Sequence, residues 1–362
     1  MSRPTAVPFE QAPFILFWET TRACDLACLH CRACAVPTRD SRELTTREGK
    51  RLLEEAAAMG TKLVVLTGGD PAKRPDVVEL VRHGTYLGLR MALTPSATPL
   101  VTREWLEELR DAGVARVAIS IDGASATTHD RFRGVVGSWA RSHQILNHAR
   151  SLGISTQANT SVSARNVSEL PLLATQLADR HIDLWGVFFV VPMGRAAGSE
   201  TLPAAEVERQ LEWLALLTAR VPFDIKTTAA PQFRRVLMQR KASQRDVVGM
   251  RELPGNDGIG RVRRGINDGQ GVAFVSHIGD IQPSGFLPVV AGNVRVEGLA
   301  ETYRTSSIFR SLRDPEQLEG SCGRCEFRKV CGGSRARAYA TTGSFMAEDP
   351  ACPYEPAAAR AS

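Results

Sequence analysis

Between residues 14 and 192, six short apolar runs rich in β-branched residues alternate with helical patterns, at intervals of roughly thirty residues. The runs are "FILFWET" (14–20), "KLVVLTGG" (62–69), "LRMALTP" (89–95), "ARVAISIDG" (115–123), "ISTQANTSV" (154–162) and "DLWGVFFVVP" (183–192). Each has the length and apolar continuity of a buried parallel strand. The clearest helix between them is "TTREGKRLLEEAAAMG" (45–60), where Thr45 and Glu48 are spaced as a capping box. Leu52, Leu53 and Ala56 share one face there, and Gly60 suits the C-terminal cap. Further helices are expected near 74–84, 102–112, 138–152 and 167–180. Parallel strands joined by right-handed helical crossovers give an α/β fold, here a partial (β/α)6 barrel. Ligands of such sheets bind at the C-terminal ends of the strands.

At 362 residues the chain can bury a large core and carry a second, smaller domain. With 43% hydrophobic and 23% charged residues, its balance is that of a soluble globular protein. "MSRPTAVPFEQAPF" has no apolar core of a signal peptide, and no stretch approaches the roughly 20 apolar residues of a membrane span. A cytoplasmic protein is expected. The net charge is +6, and only six of the 45 basic residues are lysine. Apart from "RVRRG" (261–265) and "FRKVCGGSRARAYA" (327–340) the arginines are scattered, so charge by itself does not name a nucleic-acid partner.

Eight cysteines fall in two groups, four within 24–34 and four within 322–352, with 287 residues between the groups. In a cytoplasmic chain such grouping points to metal, not disulfides. Cys24, Cys28 and Cys31 read C-x3-C-x2-C on the loop after the first strand, at the catalytic mouth of the sheet. Structural zinc takes four ligands, commonly in C-x2-C pairs, whereas an iron–sulfur cluster on three thiolates keeps one iron open. Cys34 is left outside this set. Cys322, Cys325, Cys331 and Cys352 form a complete four-thiolate set, suited either to zinc or to a 4Fe–4S cluster with no open iron.

With the loop placed, the sequence resembles the radical S-adenosylmethionine (SAM) enzymes. The resemblance implies that Cys24, Cys28 and Cys31 hold a 4Fe–4S cluster whose fourth iron takes SAM, with the ring of His30 before the third cysteine. It implies SAM contacts at Gly68, Gly69 and Asp70 of "TGGD", where Asp70 replaces the family's usual Glu. Ser96 of "LTPS", Ser120 and Asp122 of "SIDG" and Asn159 of "ANT" follow at successive strand ends. The tail resembles the auxiliary-cluster domain called SPASM, whose full form binds two clusters. Ser284 stands where an upstream cysteine would, and Ser334 and Arg335 follow Cys331 without a thiol, so one auxiliary cluster is implied. "HDRFRG" (129–134), "VPMGRA" (192–197), "GFLPVVAGNVR" (285–295) and "CGGSRARAYA" (331–340) resemble the branch with haem-pathway and mycofactocin maturases.

The implied chemistry is reductive cleavage of SAM to a 5′-deoxyadenosyl radical that abstracts a hydrogen atom, fed by an external one-electron donor such as flavodoxin or ferredoxin. The substrate is expected to be carboxylated, a haem-type tetrapyrrole or a small peptide, held by arginines at the mouth. Arg133, in a loop after the fourth strand, and Arg195, beyond the sixth, are the candidates. A nucleic-acid-modifying radical enzyme and a non-catalytic electron-transfer protein are the alternatives. The expected divisions are a barrel (14–200), a helical linker region (201–270) whose glycine-rich 251–271 covers the substrate, and the auxiliary-cluster domain (271–356).

Overall fold

The computed structural model describes residues 7–198, 201–243 and 265–357. All six expected strands form inside the runs assigned to them: β1 (Ile15–Glu19), β2 (Leu63–Thr67), β3 (Arg90–Leu93), β4 (Arg116–Ser120), β5 (Ser155–Val162) and β6 (Leu184–Phe189). They lie parallel and in sequence order, with β7 (Asp224–Thr228) added beyond β6. On the other side, β8 (Val272–Val275) pairs parallel with β1, Phe17 opposite Phe274, and β9 (Asp280–Gln282) and β10 (Gly292–Asn293) continue antiparallel. The open ten-stranded sheet therefore runs on into the tail segment, and the boundary expected at 271 falls at the edge of a strand of that sheet.

Helices α1 (Thr46–Met59), α2 (Val77–Tyr86), α3 (Arg103–Asp111), α4 (Ala126–Arg133), α5 (Ser138–Ser151), α6 (Leu170–Asp179) and α7 (Ala204–Leu217) separate the strands. α8 (Gln232–Ser243) follows β7, and the tail carries α9 (Leu299–Thr305), α10 (Ser307–Arg313), α11 (Gly320–Arg324) and α12 (Arg335–Thr342). In α1 both halves of the Thr45–Glu48 capping box are made, and Gly60, at φ 89°, closes the helix onto the carbonyls of Ala56 and Ala57. Its buried face, Leu52, Leu53 and Ala56, joins Trp18, Val64 and Leu66 in the main core.

Two features depart from the expectation. α4 was expected as loop: Ser125 caps its start through the Thr128 N–H, and Gly134, at φ 70°, ends it. Arg133 is thus the last residue of a helix. β5 alternates, burying Thr156, Ala158, Thr160 and Val162 while Gln157, Asn159 and Ser161 stay half exposed. An incomplete barrel leaves its inner face open, so that face carries polar groups where a closed barrel would carry branched apolar ones. Residues 251–264 of the expected covering loop lie outside the described residues. No described helix is long and apolar enough to cross a membrane.

Candidate active site

The first cysteine group sits on a loop held by backbone bonds from three directions. Gly69 N–H donates to Thr21 O (2.8 Å) and Asp70 N–H to Ala23 O (2.7 Å), tying the loop to the end of β2. Leu29 N–H donates to Phe132 O (3.0 Å), tying it to α4, and Arg195 N–H donates to Cys31 O (3.0 Å) from beyond β6. A Cβ on Gly69 would lie 2.5 Å from Ala23 O, so here the glycine is required by the cysteine loop itself. Gly69→Ala is expected to cost about 1–3 kcal/mol by overpacking and to lower the iron held at this loop, measured by denaturation and iron analysis after anaerobic reconstitution.

Cys24 and Cys28 are buried, Cys31 is half buried, and the three pack in one cluster with Leu26. Donors face each sulfur: Leu26 N–H on Cys24 (3.4 Å), Ala35 N–H on Cys31 (3.4 Å) and Arg133 Nη1 on Cys28 (3.6 Å). Ser96 Oγ lies 3.3 Å from Cys24 Sγ. Burial pushes the Cys24 thiol up despite the Ser96 contact, a penalty that a bound cation would reverse. Cys34 is exposed, with a left-handed backbone at φ 47°.

Beside the loop, at the C-terminal strand ends, lies a cavity of about 140 Å³ lined by Gly68, Gly69, Ser96, Ser120, His129 and Arg133 among others. Four residues expected at SAM do not line this cavity. Asp70 is fully buried and accepts from Ala72 N (3.1 Å), Ser96 N (3.1 Å) and Thr98 Oγ1 (2.7 Å), so it shapes the loop that presents Ser96. Asp122 is fully buried, faces Arg133 Nη2 at 2.5 Å and accepts from Ser161 N (2.7 Å). His30 Nε2 lies 4.0 Å from Asp122, with its ring 4.6 Å from that of Phe132. Asn159 Oδ1 accepts from Gln157 (2.7 Å). Burial alone would raise Asp122, but Arg133, with His30 and His129, holds its carboxyl below the usual range.

His129 and, from α5, Ser138 and Ser142 also line the cavity, and the sequence reading had not singled them out. The Ser125 and Gly134 caps of α4 were the available signal. His129 Nδ1 accepts from Asp122 N (3.0 Å), while its Nε2 has no hydrogen-bond partner among the described residues; nor has either ring nitrogen of His143. Burial holds both histidines at about 4 instead of 6.5. The unfolded chain then binds protons that the folded chain refuses, so their contribution is complete above pH 6.5 and lost as pH falls towards 4. Denaturation midpoints should drop through that window, with a slope of up to about 1.4 kcal/mol per pH unit for each histidine, and His143→Gln should flatten it.

Arg195 does not reach into this cavity. Its Nε donates to Cys28 O (2.9 Å) and its Nη1 to Ala35 O (3.2 Å), which brace the cysteine loop. The sequence profile of the radical SAM superfamily matches residues 18–164, which hold the end of β1, β2 to β5, the cysteine loop and the cavity. The chain is also 39% identical to an AdoMet-dependent heme synthase of Methanosarcina barkeri, over 97% of this chain and 99% of that protein. This chain belongs to the radical SAM superfamily. It is therefore an enzyme of a superfamily that uses a 4Fe–4S cluster and SAM. A mycofactocin maturase of Mycobacterium tuberculosis is 31% identical over 96% of this radical SAM chain and 86% of its own. The fold matches Streptococcus suis SuiB bound to S-adenosylmethionine, with a TM-score of 0.73 at 16% identity, covering 95% of this chain and 78% of that one.

The second cysteine group of this radical SAM enzyme also faces one space. Cys322, Cys325, Cys331 and Cys352 line a cavity of about 140 Å³ together with Arg235 and Tyr354. Backbone N–H groups approach the sulfurs at 3.4 Å: Asp349 on Cys322, Phe327 on Cys325 and Gly333 on Cys331. Burial pushes Cys331 up to about 12 and Cys352 to about 11. Sulfurs that accept amide N–H groups and surround a space fit a cluster with an iron for each thiolate.

Proposed function

We propose that this enzyme forms a haem-type tetrapyrrole by oxidative decarboxylation of propionate side chains on an iron-containing precursor. The carrying observation is the similarity to the heme synthase, which runs through barrel and tail alike. In this reading Cys24, Cys28 and Cys31 hold the first 4Fe–4S cluster, and the tail thiolates hold a second. Residues 14–200 form the SAM-binding barrel, 201–270 the linker region and 271–356 the second-cluster unit. When bound, cluster and SAM supply a 5′-deoxyadenosyl radical able to take a hydrogen atom from an unactivated carbon.

The chain's own residues orient that chemistry. Gly68 and Gly69 present backbone to the cofactor cavity, Ser96 and Ser120 offer hydroxyls, and Arg133 offers a guanidinium whose position Asp122 fixes. His30 and Asn159, beside the cavity, complete the polar surround. Past the end of β6, Val191 and Met193 join Phe286, Leu287, Phe345 and Met346 in an apolar cluster between barrel and tail. Such a wall suits a flat apolar macrocycle and keeps water from a radical.

The test is anaerobic incubation with SAM, an electron donor and an iron tetrapyrrole bearing propionates. Each propionate is expected to become a vinyl group, losing carbon dioxide, one hydrogen atom to the 5′-deoxyadenosyl radical (one 5′-deoxyadenosine per carbon dioxide) and one electron to a one-electron acceptor added to the assay. If 5′-deoxyadenosine forms with no change in tetrapyrrole mass, the substrate is of another class, and a precursor peptide is the next candidate.

A further inference from the structure

The tail cavity is bordered by two buried arginines, Arg235 and Arg335, and Arg335 feels the Asp268 carboxylate without forming an ion pair with it. Arg335 is only 2% exposed, yet no carboxylate among the described residues lies within ion-pair distance of its guanidinium. Its Nε donates to Gly333 O (3.3 Å) and its Nη1 to Phe345 O (3.0 Å) and Ala347 O (2.6 Å). The remaining nitrogen, Nη2, lies 3.5 Å from Cys322 Sγ. Arg335 is also the first residue of α12, where the helix dipole disfavours a cation. A charge removed from water, unpaired and set at a helix N-terminus is costly unless a negative group meets it. Neighbouring Arg337 shows the contrast, since Asp349 neutralises it at 3.0 Å.

A second buried cation reaches the same space from the barrel side. Arg235 of α8 is 2% exposed and lines the cavity, with its guanidinium 4.6 Å over the ring of Tyr354. Glu208 of α7 partly balances it, accepting from Nη1 at 2.8 Å and Nη2 at 2.6 Å, while Nε has no hydrogen-bond partner among the described residues. Gln232, three residues earlier on α8, donates to Asp349 Oδ2 (2.6 Å), whose own N–H faces Cys322 Sγ. The α8 helix is thus an outer shell of the tail site.

We propose that Arg335, as its counter-charge, and Arg235 raise the reduction potential of the group held by the four tail thiolates. This rests on the reading that the group is an iron–sulfur cluster. Four thiolates make such a cluster anionic, reduction makes it more so, and buried cations stabilise the reduced form more than the oxidised one. Arg335 and Arg235 act through the cluster's surroundings and are positioning residues.

The full chain carrying Cys24→Ala, Cys28→Ala and Cys31→Ala isolates the signal, because only the tail can then hold iron. Iron analysis and a spectroelectrochemical titration are run on that background and on variants within it. Arg335→Gln is expected to keep about four irons per chain and to shift the midpoint to lower potential. Arg335→Lys should restore most of the shift, and Glu208→Gln, which unmasks Arg235, should move the midpoint the other way. Should Arg335→Gln lose its iron, the Arg335→Lys and Glu208→Gln midpoints decide. Midpoints that stay put while iron is retained overturn the role of the arginines alone. A background chain that binds no iron, or binds zinc, overturns the tail-cluster reading and this role with it.

Discussion

Replacing Cys24, Cys28 and Cys31 together with alanine is expected to abolish 5′-deoxyadenosine formation while the tail keeps about four irons per chain. The loop should survive the change, because the bonds that brace it run through backbone: Gly69 N–H to Thr21 O, Leu29 N–H to Phe132 O and Arg195 N–H to Cys31 O. The two sites draw on separate stretches of chain, 24–31 and 322–352, so losing one set of thiols leaves the other intact. Chromatography of the nucleoside product and iron analysis read the two effects independently. Persisting 5′-deoxyadenosine would move radical formation away from this loop.

The second large effect belongs to Arg133. Its guanidinium is the only side chain within ion-pair distance of Asp122 apart from His30, at 4.0 Å, among the described residues, and Asp122 is wholly buried. Arg133→Ala would strand that carboxylate, with an expected loss of about 3–5 kcal/mol in stability and of SAM binding at the cavity Arg133 lines. Adding Asp122→Asn should recover much of the stability, because the stranded charge is gone, but not the SAM affinity. Denaturation and calorimetric titration with SAM separate the two. If the double variant binds SAM normally, Arg133 serves only to neutralise Asp122. Arg133 lines the cavity beside the cysteine loop and Arg195 braces that loop, whereas the sequence sets both at the mouth as candidates for substrate carboxylates.

The six barrel strands were legible because parallel strands covered by helices write an uninterrupted apolar run, and the run's length gives its bounds to within three residues. α1 was legible because Thr45, Glu48 and Gly60 mark both its ends. α4 was not, since a helix of eight residues completes barely two turns and its face buries only His129 and Phe132. The strand β8 was hidden for another reason: "VAFV" is as short as a core segment of any kind, and pairing with β1 and β9 is what makes it a strand. Spacing brought the seven cysteines to two points but could not show what lay beside them. Asp70 illustrates this, because its motif fixes its place on the chain while its carboxylate turns inward to Thr98, a residue no motif contains.

The placement of β8 against β1 ties the earliest strand of the barrel to one of the latest. On the ribosome, β1 and the cysteine loop emerge long before residues 272–275 exist to cover that side of the sheet. Until then β1 is an open edge, with unpaired backbone next to three thiols. Covering of that edge is therefore a late event in the life of each new chain, and the interval before it is when the first three cysteines are most open to oxidation.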